Sequence, residues 1–524
     1  MVADTRDTGV IVVGAGPTGL MLAAELRLGG ADVVVLERLA EPTGQSRGLG
    51  FTARATELFL QRGLGTRFGT LETSPLGHFG GVQFDYTVLP DAHFGARGIP
   101  QSQTEAVLEE RARELGADVR RGWSFDGLLT GADPGDTGVR IRASGPDGPR
   151  ELRAAYLVGA DGGRSAVRSA AGFESVSTPA TRGMYLADVT GLGLPPRFLG
   201  ERLHGGMVMA APLAPGVDRI IVCEDGVPAR RRDETVGFDE VAAAWKRITG
   251  EDIGHGGADW VSSFTDATHL VTEYARGRVL LAGDAAHTHL PAGGQGLSAG
   301  VQDAVNLGWK LAAALRGDAA PGLVATYHDE RHPAGQRLLT NSRVQGTVFL
   351  GGPEADPLRA LFTELIGLDE VKRHLAGTVS GLDVAYEVGP GAHPLLGRRL
   401  PPRPLEPPVP PSTFDLLHPA RGVLLVAPGP AADGPAAIAD GWTDRVDVVV
   451  AGVVPAGDGD PVTGTTALLV RPDGHVVWAT TTDAPDGTDG LRDALRSWFG
   501  APTPSSDPRA AAARDRTELQ EQNT

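Results

Sequence analysis

Residues 9–38, GVIVVGAGPTGLMLAAELRLGGADVVVLER, constrain the fold more than any other part of the chain. Two short β-branched runs, Val10–Val13 and Val33–Leu36, read as buried parallel strands. Between them, Gly14-Ala15-Gly16-Pro17-Thr18-Gly19 opens a helical stretch that ends near Gly29-Gly30. Strand, glycine turn, helix and strand make a βαβ unit, which demands a parallel sheet. G-x-G-x-x-G in that setting is a dinucleotide fingerprint. Gly14 permits the tight turn, Gly16 lets a pyrophosphate approach the backbone, and Gly19 lets the helix pack closely. The helix N-terminus offers partial positive charge to the phosphates. Glu37 ends the second strand, with Arg38 beside it, near the spacing of about 20 residues at which a carboxylate meets a ribose 2′-OH. A carboxylate there repels a 2′-phosphate. The site therefore suits FAD or NAD rather than NADPH, and these residues leave the choice between FAD and NAD open.

The same strand–turn–helix grammar recurs far along the chain. YLVGADGG, residues 156–163, precedes a helix from Ser165, and RVLLAGDAA, residues 278–286, precedes a second glycine loop and helix. These pieces can share one sheet with the first unit if the intervening segments fold out as insertions. From about Thr178 to Phe264 the pattern changes to alternating strands such as GGMVMAAPL and RIIVCED, which suggests a second lobe. TYHDERHPAGQRLLTNSRVQG and PLRALFTELIG read as helices. LPPRPLEPPVPPS, residues 400–412, is proline-rich and reads as a linker. Beyond it, GVLLVAP, RVDVVVAG, TALLVRPDGHVVWAT and LRDALRSWFG suggest a small α/β domain with a hairpin at Asp473-Gly474. The last twenty residues are polar and expected to fray. At roughly 100–200 residues per domain, 524 residues allow about three lobes. The expected boundaries are 1–177, 178–265, 266–399 and 413–503.

Charge and cysteine content remove several function classes. A net charge of −17 disfavours a nucleic-acid partner. One cysteine, Cys223, allows neither an intramolecular disulfide nor a CxxC pair. No run of about 18 apolar residues suggests a membrane span, and the first residues lack a signal-peptide pattern. The expectation is a soluble cytoplasmic protein.

GAGPTGL, GADGGRSAVR and GDAAHTHLPAGGQG…QDAVNLGWKLA, in that order and spacing, resemble the class A flavoprotein aromatic monooxygenases of para-hydroxybenzoate hydroxylase fold. ERLAEPTGQSRGLGFTARATELF, GHFGG and MYLADVTG are similar to the hydroxylases of that family that tailor aromatic polyketides, especially angucyclines. The resemblance covers about Val10 to Gly500. It implies an α/β fold: a Rossmann-like FAD-binding domain, an inserted β-sheet substrate domain and a C-terminal thioredoxin-like domain. It also implies FAD as resident cofactor, NADPH as transient electron donor, O2 as co-substrate and a polycyclic aromatic substrate. In the family, a hydroperoxide formed on the flavin passes its distal oxygen to an electron-rich aromatic carbon. A homodimer is an open possibility, and no side chain stands out as a general base.

The resemblance also assigns residues. Asp284 matches an aspartate that binds the ribityl chain. The loop Pro291-Ala292-Gly293-Gly294-Gln295-Gly296-Leu297-Ser298 matches the segment lying against the isoalloxazine, and its helix N-terminus suits negative charge on reduced flavin. Many relatives carry asparagine at Ser298; serine's shorter reach questions a side-chain bond there. Asp161-Gly162 matches a motif touching FAD and the nicotinamide cofactor, with Arg164 either near a phosphate or solvated. Arg47 and Gln101 match FAD contacts. Ser102 and Glu105 have capping-box spacing and are read as structural. His287 and His289, with no third ligand nearby, are read as packed histidines, with no metal. Arg54, Glu57 and Arg62 are read as the solvated face of an amphipathic helix. Met184, Met207 and Met209 suit either a wall against a flat aromatic substrate, with Pro291 opposite, or plain core packing. Other readings remain open: Baeyer–Villiger-type oxygen insertion, hydroxylation of a rifamycin-like drug, a flavin-binding interaction protein, and an NAD dehydrogenase using the first motif alone.

Overall fold

The computed structural model describes residues 7–89, 94–229, 235–406, 410–429, 432–482 and 488–503. The polar last twenty residues and positions 407–409 of the proline-rich stretch lie outside the described residues. The chain divides into two compact units. One comprises Met1–Leu60, Leu64–Gly308 and Tyr327–Val384; the other comprises Gln61–Gly63, Trp309–Thr326 and Ala385–Thr524.

The first unit begins with strand β1 (Thr8–Val13), helix α1 (Pro17–Leu28), β2 (Val33–Glu37), α2 (Ala53–Gln61), α3 (Gln101–Glu114) and β3 (Asp118–Arg121). It continues with β4 (Gly148–Gly159) and the short α4 (Ala166–Ala170). The chain then leaves to build a lobe from β5 (Gly183–Thr190), β6 (Arg197–Leu203), β7 (Gly206–Ala214), β8 (Val217–Glu224), α5 (Phe238–Thr249) and β9 (Gly257–Thr265). It returns as β10 (Val279–Leu281), α6 (Gln295–Arg316), α7 (Thr326–Leu350), α8 (Asp356–Ile366) and α9 (Asp369–Ser380).

The main sheet has eight strands; its parallel part has the order β10-β4-β1-β2-β3, and the other three strands join antiparallel. The three distant glycine-bearing segments do share one sheet, as the sequence pattern expects. Register brings their carboxyl ends level: Val13 pairs with Gly159 and Leu36, and Gly159 pairs with Leu281. Val10–Val12, Leu157, Val158 and Leu280 are buried, as strands covered on both faces must be.

The inserted lobe is an antiparallel sheet of order β6-β7-β8-β5-β9. Alternation sorts its two faces. Tyr185, Ala187, Val189, Val208, Ala210, Ile220 and Val222 pack on Val241, Trp245 and Ile248 of α5. Met184, Met207, Met209, Ile221, Cys223 and Phe264 occupy the opposite face.

The second unit holds β11 (Gly422–Val426), α10 (Asp433–Ala439), β12 (Val446–Val450), β13 (Thr465–Val470), β14 (Val476–Thr481) and α11 (Leu491–Phe499). Its sheet order is β12-β11-β13-β14, with only the first pair parallel, which is a thioredoxin-like arrangement. Gly474, at φ +80°, turns the β13–β14 hairpin where Asp473-Gly474 is expected to. Trp309 and Ala313, in the last turns of α6, join Leu424, Trp442, Leu469, Leu495 and Trp498 in its core.

One expectation fails. Arg54, Glu57 and Arg62 are not a solvated face, for every residue from Ala53 to Phe59 is buried. Arg54 Nη1 donates to Glu57 Oε2 at 3.0 Å, and Arg62 donates to the Leu417 and Pro472 carbonyls at 2.9 and 2.7 Å. The polar side of α2 meets protein acceptors instead of water, a distinction periodicity alone does not contain.

Candidate cofactor site

The site is built where the level carboxyl ends of β1, β2, β4 and β10 release their loops. Gly14 has φ +107°, and an added Cβ would lie 2.4 Å from Ala160 O. A Cβ on Gly19 would lie 2.0 Å from Gly14 O. These two glycines are required by protein packing. Gly16 is different: at φ −80° any residue is tolerated, yet a Cβ there meets nothing within 4 Å. Gly16 is also the N-cap of α1, with no side-chain cap, Pro17 at the first turn and no acidic residue there. Open space thus faces a helix start whose N–H groups no side chain serves, which fits a pyrophosphate.

Ala15 is buried, and its N–H donates to Glu37 Oε2 at 2.9 Å, while Leu39 N–H donates to Oε1 at 2.9 Å. Glu37 is therefore fixed at the end of β2, half-buried beside the glycine turn; Arg38 is exposed. Arg47 is exposed on the loop before strand Leu49–Phe51. Gln101 opens α3; its N–H donates to Gly48 O at 3.1 Å and its Nε2 to Glu105 Oε1 at 2.8 Å. The capping-box spacing of Ser102 and Glu105 is not used as a cap. The helix starts one residue early, after Pro100, and Ser102 bonds Ser46 instead.

Asp161 caps α4. Its carboxylate accepts from Ser165 Oγ at 2.5 Å, Ala166 N at 2.6 Å and Val167 N at 3.2 Å. Gly162, at φ +80°, has open space where a Cβ would stand. Arg164 is exposed. Arg168, the third residue of α4, donates to Gly163 O at 2.8 Å and to Ala285 O at 2.9 Å. The second motif is thereby tied to the third.

Asp284 sits in the tight turn Gly283–Ala285 after β10 and is exposed. Gly283 has φ +60°, and a Cβ there would lie 2.6 Å from Thr18 Oγ1; a Cβ on Gly300 of α6 would lie 2.2 Å from the same atom. Thr18 of the first motif is thus wedged between the third motif and its helix. Along the loop, Pro291 and Gly294 are exposed, Gly296 and Leu297 half-buried, and Gly293 and Gly294 hold φ of +71° and +66°. Ser298 is buried, and its Oγ accepts from Thr52 N at 2.9 Å. Both histidines are packed. His289 Nδ1 donates to Leu290 O at 2.7 Å, and burial lowers its pKa. His287 Nε2 donates to Asp303 Oδ2 at 2.8 Å. Among the described residues no cluster of three or more His, Cys, Asp or Glu is arranged for a metal.

The methionines divide. Met184 and Met207 are buried with Cys223, Leu290 and Leu350. Met209 is half-buried with Ile221, Phe264, Ala292 and Phe349. Because Leu290 and Ala292 flank Pro291, the inner sheet face abuts the glycine loop.

Two polar networks escape sequence reasoning. Asp303 of α6 joins Gly283, His287 and Arg331. A second network is a chain of amides. Gly80 N–H donates to Gln345 Oε1 (3.3 Å), Gln345 Nε2 to Asn341 Oδ1 (3.1 Å), Asn341 Nδ2 to Gln295 Oε1 (3.0 Å), and Gln295 Nε2 to Ala292 O (3.2 Å). A backbone donor at one end and a carbonyl at the other fix the orientation of all three amides. The only sequence signal for these residues was polar side chains inside helices of otherwise buried pattern.

Residues 7–342 match the family described as FAD binding domain, and residues 393–502 match the family described as aromatic-ring hydroxylase, C-terminal. The chain belongs to the FAD-binding aromatic hydroxylases. A curated relative, the 12-dehydrotetracycline 5-monooxygenase/anhydrotetracycline 6-monooxygenase of Streptomyces rimosus subsp. rimosus, is 46% identical over 94% of this chain and 99% of its own. A rifampicin monooxygenase of Streptomyces venezuelae is 40% identical over 94% of this chain and 99% of its own. The solved structure of CabE, an aromatic hydroxylase from angucycline biosynthesis, superposes with a TM-score of 0.89 at 55% identity, covering 95% of this chain and all of that one. This hydroxylase is thus a monooxygenase of the flavin-dependent class. No helix among its described residues is long and apolar enough to cross a membrane.

Proposed function

We propose that this hydroxylase binds one FAD and uses NADPH and O2 to place an oxygen atom on a polycyclic aromatic polyketide of angucycline type. The observation that carries the reading is the convergence of three glycine turns at the carboxyl end of one sheet, locked by Thr18 between Gly283 and Gly300, where a Cβ added at Gly16, Gly162 or Gly294 would meet nothing within 4 Å. In this reading the cofactor is held within residues 1–177 and 266–399, the substrate against residues 178–265, and residues 413–503 form the thioredoxin-like appendage. Gly14, Ala15, Gly16, Pro17, Thr18 and Gly19 receive the pyrophosphate, and Glu37 with Arg38 the adenosine ribose. Asp284 takes the ribityl hydroxyls, and Asp161-Gly162, Arg47 and Gln101 line the same groove. Pro291, Gly294, Gly296, Leu297 and Ser298 offer backbone to the ring. Bound FAD supplies the redox chemistry that activates O2. The chain's own part is to orient the aromatic ring against the loop, exclude water and support charge at the helix start.

On the substrate side the open surface is Met209, Ile221, Phe264, Ala292 and Phe349, a soft apolar wall suited to a fused-ring ligand. Met184 and Met207, buried beneath it, back that wall. The test is turnover under 18O2 with an angucyclinone and with anhydrotetracycline. The reading expects faster NADPH consumption on adding one of these and a product carrying one heavy oxygen. NADPH use that yields only hydrogen peroxide with every aromatic tried would reject the substrate class. Protein that takes up no flavin would reject the cofactor.

A further inference from the structure

We propose that Asp303 and Arg168 are positioning residues that clamp the Gly283–Ala285 turn from its two sides and so set the place of Asp284; the inference rests on the FAD reading above. Asp284 is exposed, and its carboxylate has no hydrogen-bond partner among the described residues. Its position therefore comes from the backbone that carries it. That backbone is held at both ends. Gly283 N–H donates to Asp303 Oδ2 at 3.0 Å, and Ala285 O accepts from Arg168 Nη1 at 2.9 Å.

Each clamp is itself anchored. Asp303 is fully buried on α6; Oδ2 also accepts from His287 Nε2 at 2.8 Å, and Oδ1 accepts from Arg331 Nε of α7 at 2.7 Å. Burial opposes its charge, but the Arg331 guanidinium and His287 outweigh this and hold the carboxyl below its usual pKa. A buried carboxylate with three donors on two oxygens has one orientation open to it. Arg168 stands on α4, whose start is capped by Asp161, and its other nitrogen holds Gly163 O. The wedge of Thr18 between Gly283 and Gly300 leaves the turn no room to slide. A carboxylate meant for a flexible polyol gains from such fixing, because a pre-placed acceptor loses little freedom on binding.

A merely structural role makes a different prediction, and a double-mutant cycle separates the two. Four proteins are made first: wild type, Asp303→Asn, Asp284→Ala and the double variant. FAD is titrated into each apoprotein and the dissociation constant read from flavin fluorescence, with apoprotein Tm measured alongside. The clamp predicts that Asp303→Asn weakens FAD binding by about tenfold when Asp284 is present and by less than about twofold when it is absent. The same fold-change in both backgrounds, or none in either, overturns the proposal. Arg168 is half-buried, so Arg168→Met keeps its stem and offers a variant that folds if Asp303→Asn does not. It is expected to weaken binding about threefold, again only when Asp284 is present. Wild-type protein that takes no FAD rejects the cofactor reading itself, which is a separate outcome.

Discussion

Gly14 and Gly16 stand two residues apart in one motif, yet replacing them should do different things. At Gly14 a side chain meets both a positive φ and the Ala160 carbonyl, so Gly14→Ala should cost about 1–3 kcal/mol of stability, measured by urea unfolding of the apoprotein. At Gly16 a Cβ meets nothing within 4 Å. Gly16→Val should cost no more than the loss of a favoured N-cap residue, about 1 kcal/mol of apoprotein stability, and abolish FAD uptake in a fluorescence titration. A Gly16→Val protein that still takes up FAD, or one that loses several kcal/mol of stability, would contradict this division. Cys223 gives a further check. Burial pushes its thiol up to about 11, so at pH 8 the thiolate is scarce and shielded. A thiol reagent should leave native protein unlabelled and label one site after denaturation; rapid native labelling would contradict the packed sheet face. At this scale the sequence showed the glycines, because their spacing is the motif. Asp303, Arg331 and Arg168 were not legible: their role depends on three elements meeting, and none of those meetings has a local pattern.

Among elements, the parallel sheet was readable because β-branched runs followed by glycine turns say both what forms and where it ends. The inserted lobe was readable from its change to alternation. Helix α2 was not: its charged residues suggest one wet face, and the actual helix is covered nearly all round, with Arg54 bonding Glu57. The amide chain through Gln345, Asn341 and Gln295 belongs to this scale, since it ties the Gly80 turn to the glycine loop. Gln345→Met fills the same volume but leaves Gly80 N–H and Asn341 Oδ1 buried and unpaired, at a cost of about 1–3 kcal/mol in urea unfolding. Gln345→Glu should be as damaging above the carboxyl pKa, because a carboxylate has no N–H to donate to Asn341. Wild-type stability in both variants would show the chain to be idle.

For the molecule as a whole, the fold follows from where the chain leaves and re-enters one sheet. The C-terminal unit has the thioredoxin-like strand order, while Cys223, the chain's single cysteine, lies in the inserted lobe. Dithiol chemistry in that unit is therefore ruled out by composition. The choice of substrate does not follow from topology, since relatives of the same fold carry the names of tetracycline and rifampicin enzymes. What topology does determine is that three glycine turns leave the sheet side by side, at the level carboxyl ends of β1, β4 and β10. The most direct test is the flavin content of purified protein, measured by visible absorbance against protein concentration, before and after adding FAD to the apoprotein. The account predicts one FAD per wild-type chain and none for Gly16→Val. A colourless wild-type protein that takes up no added FAD would contradict it.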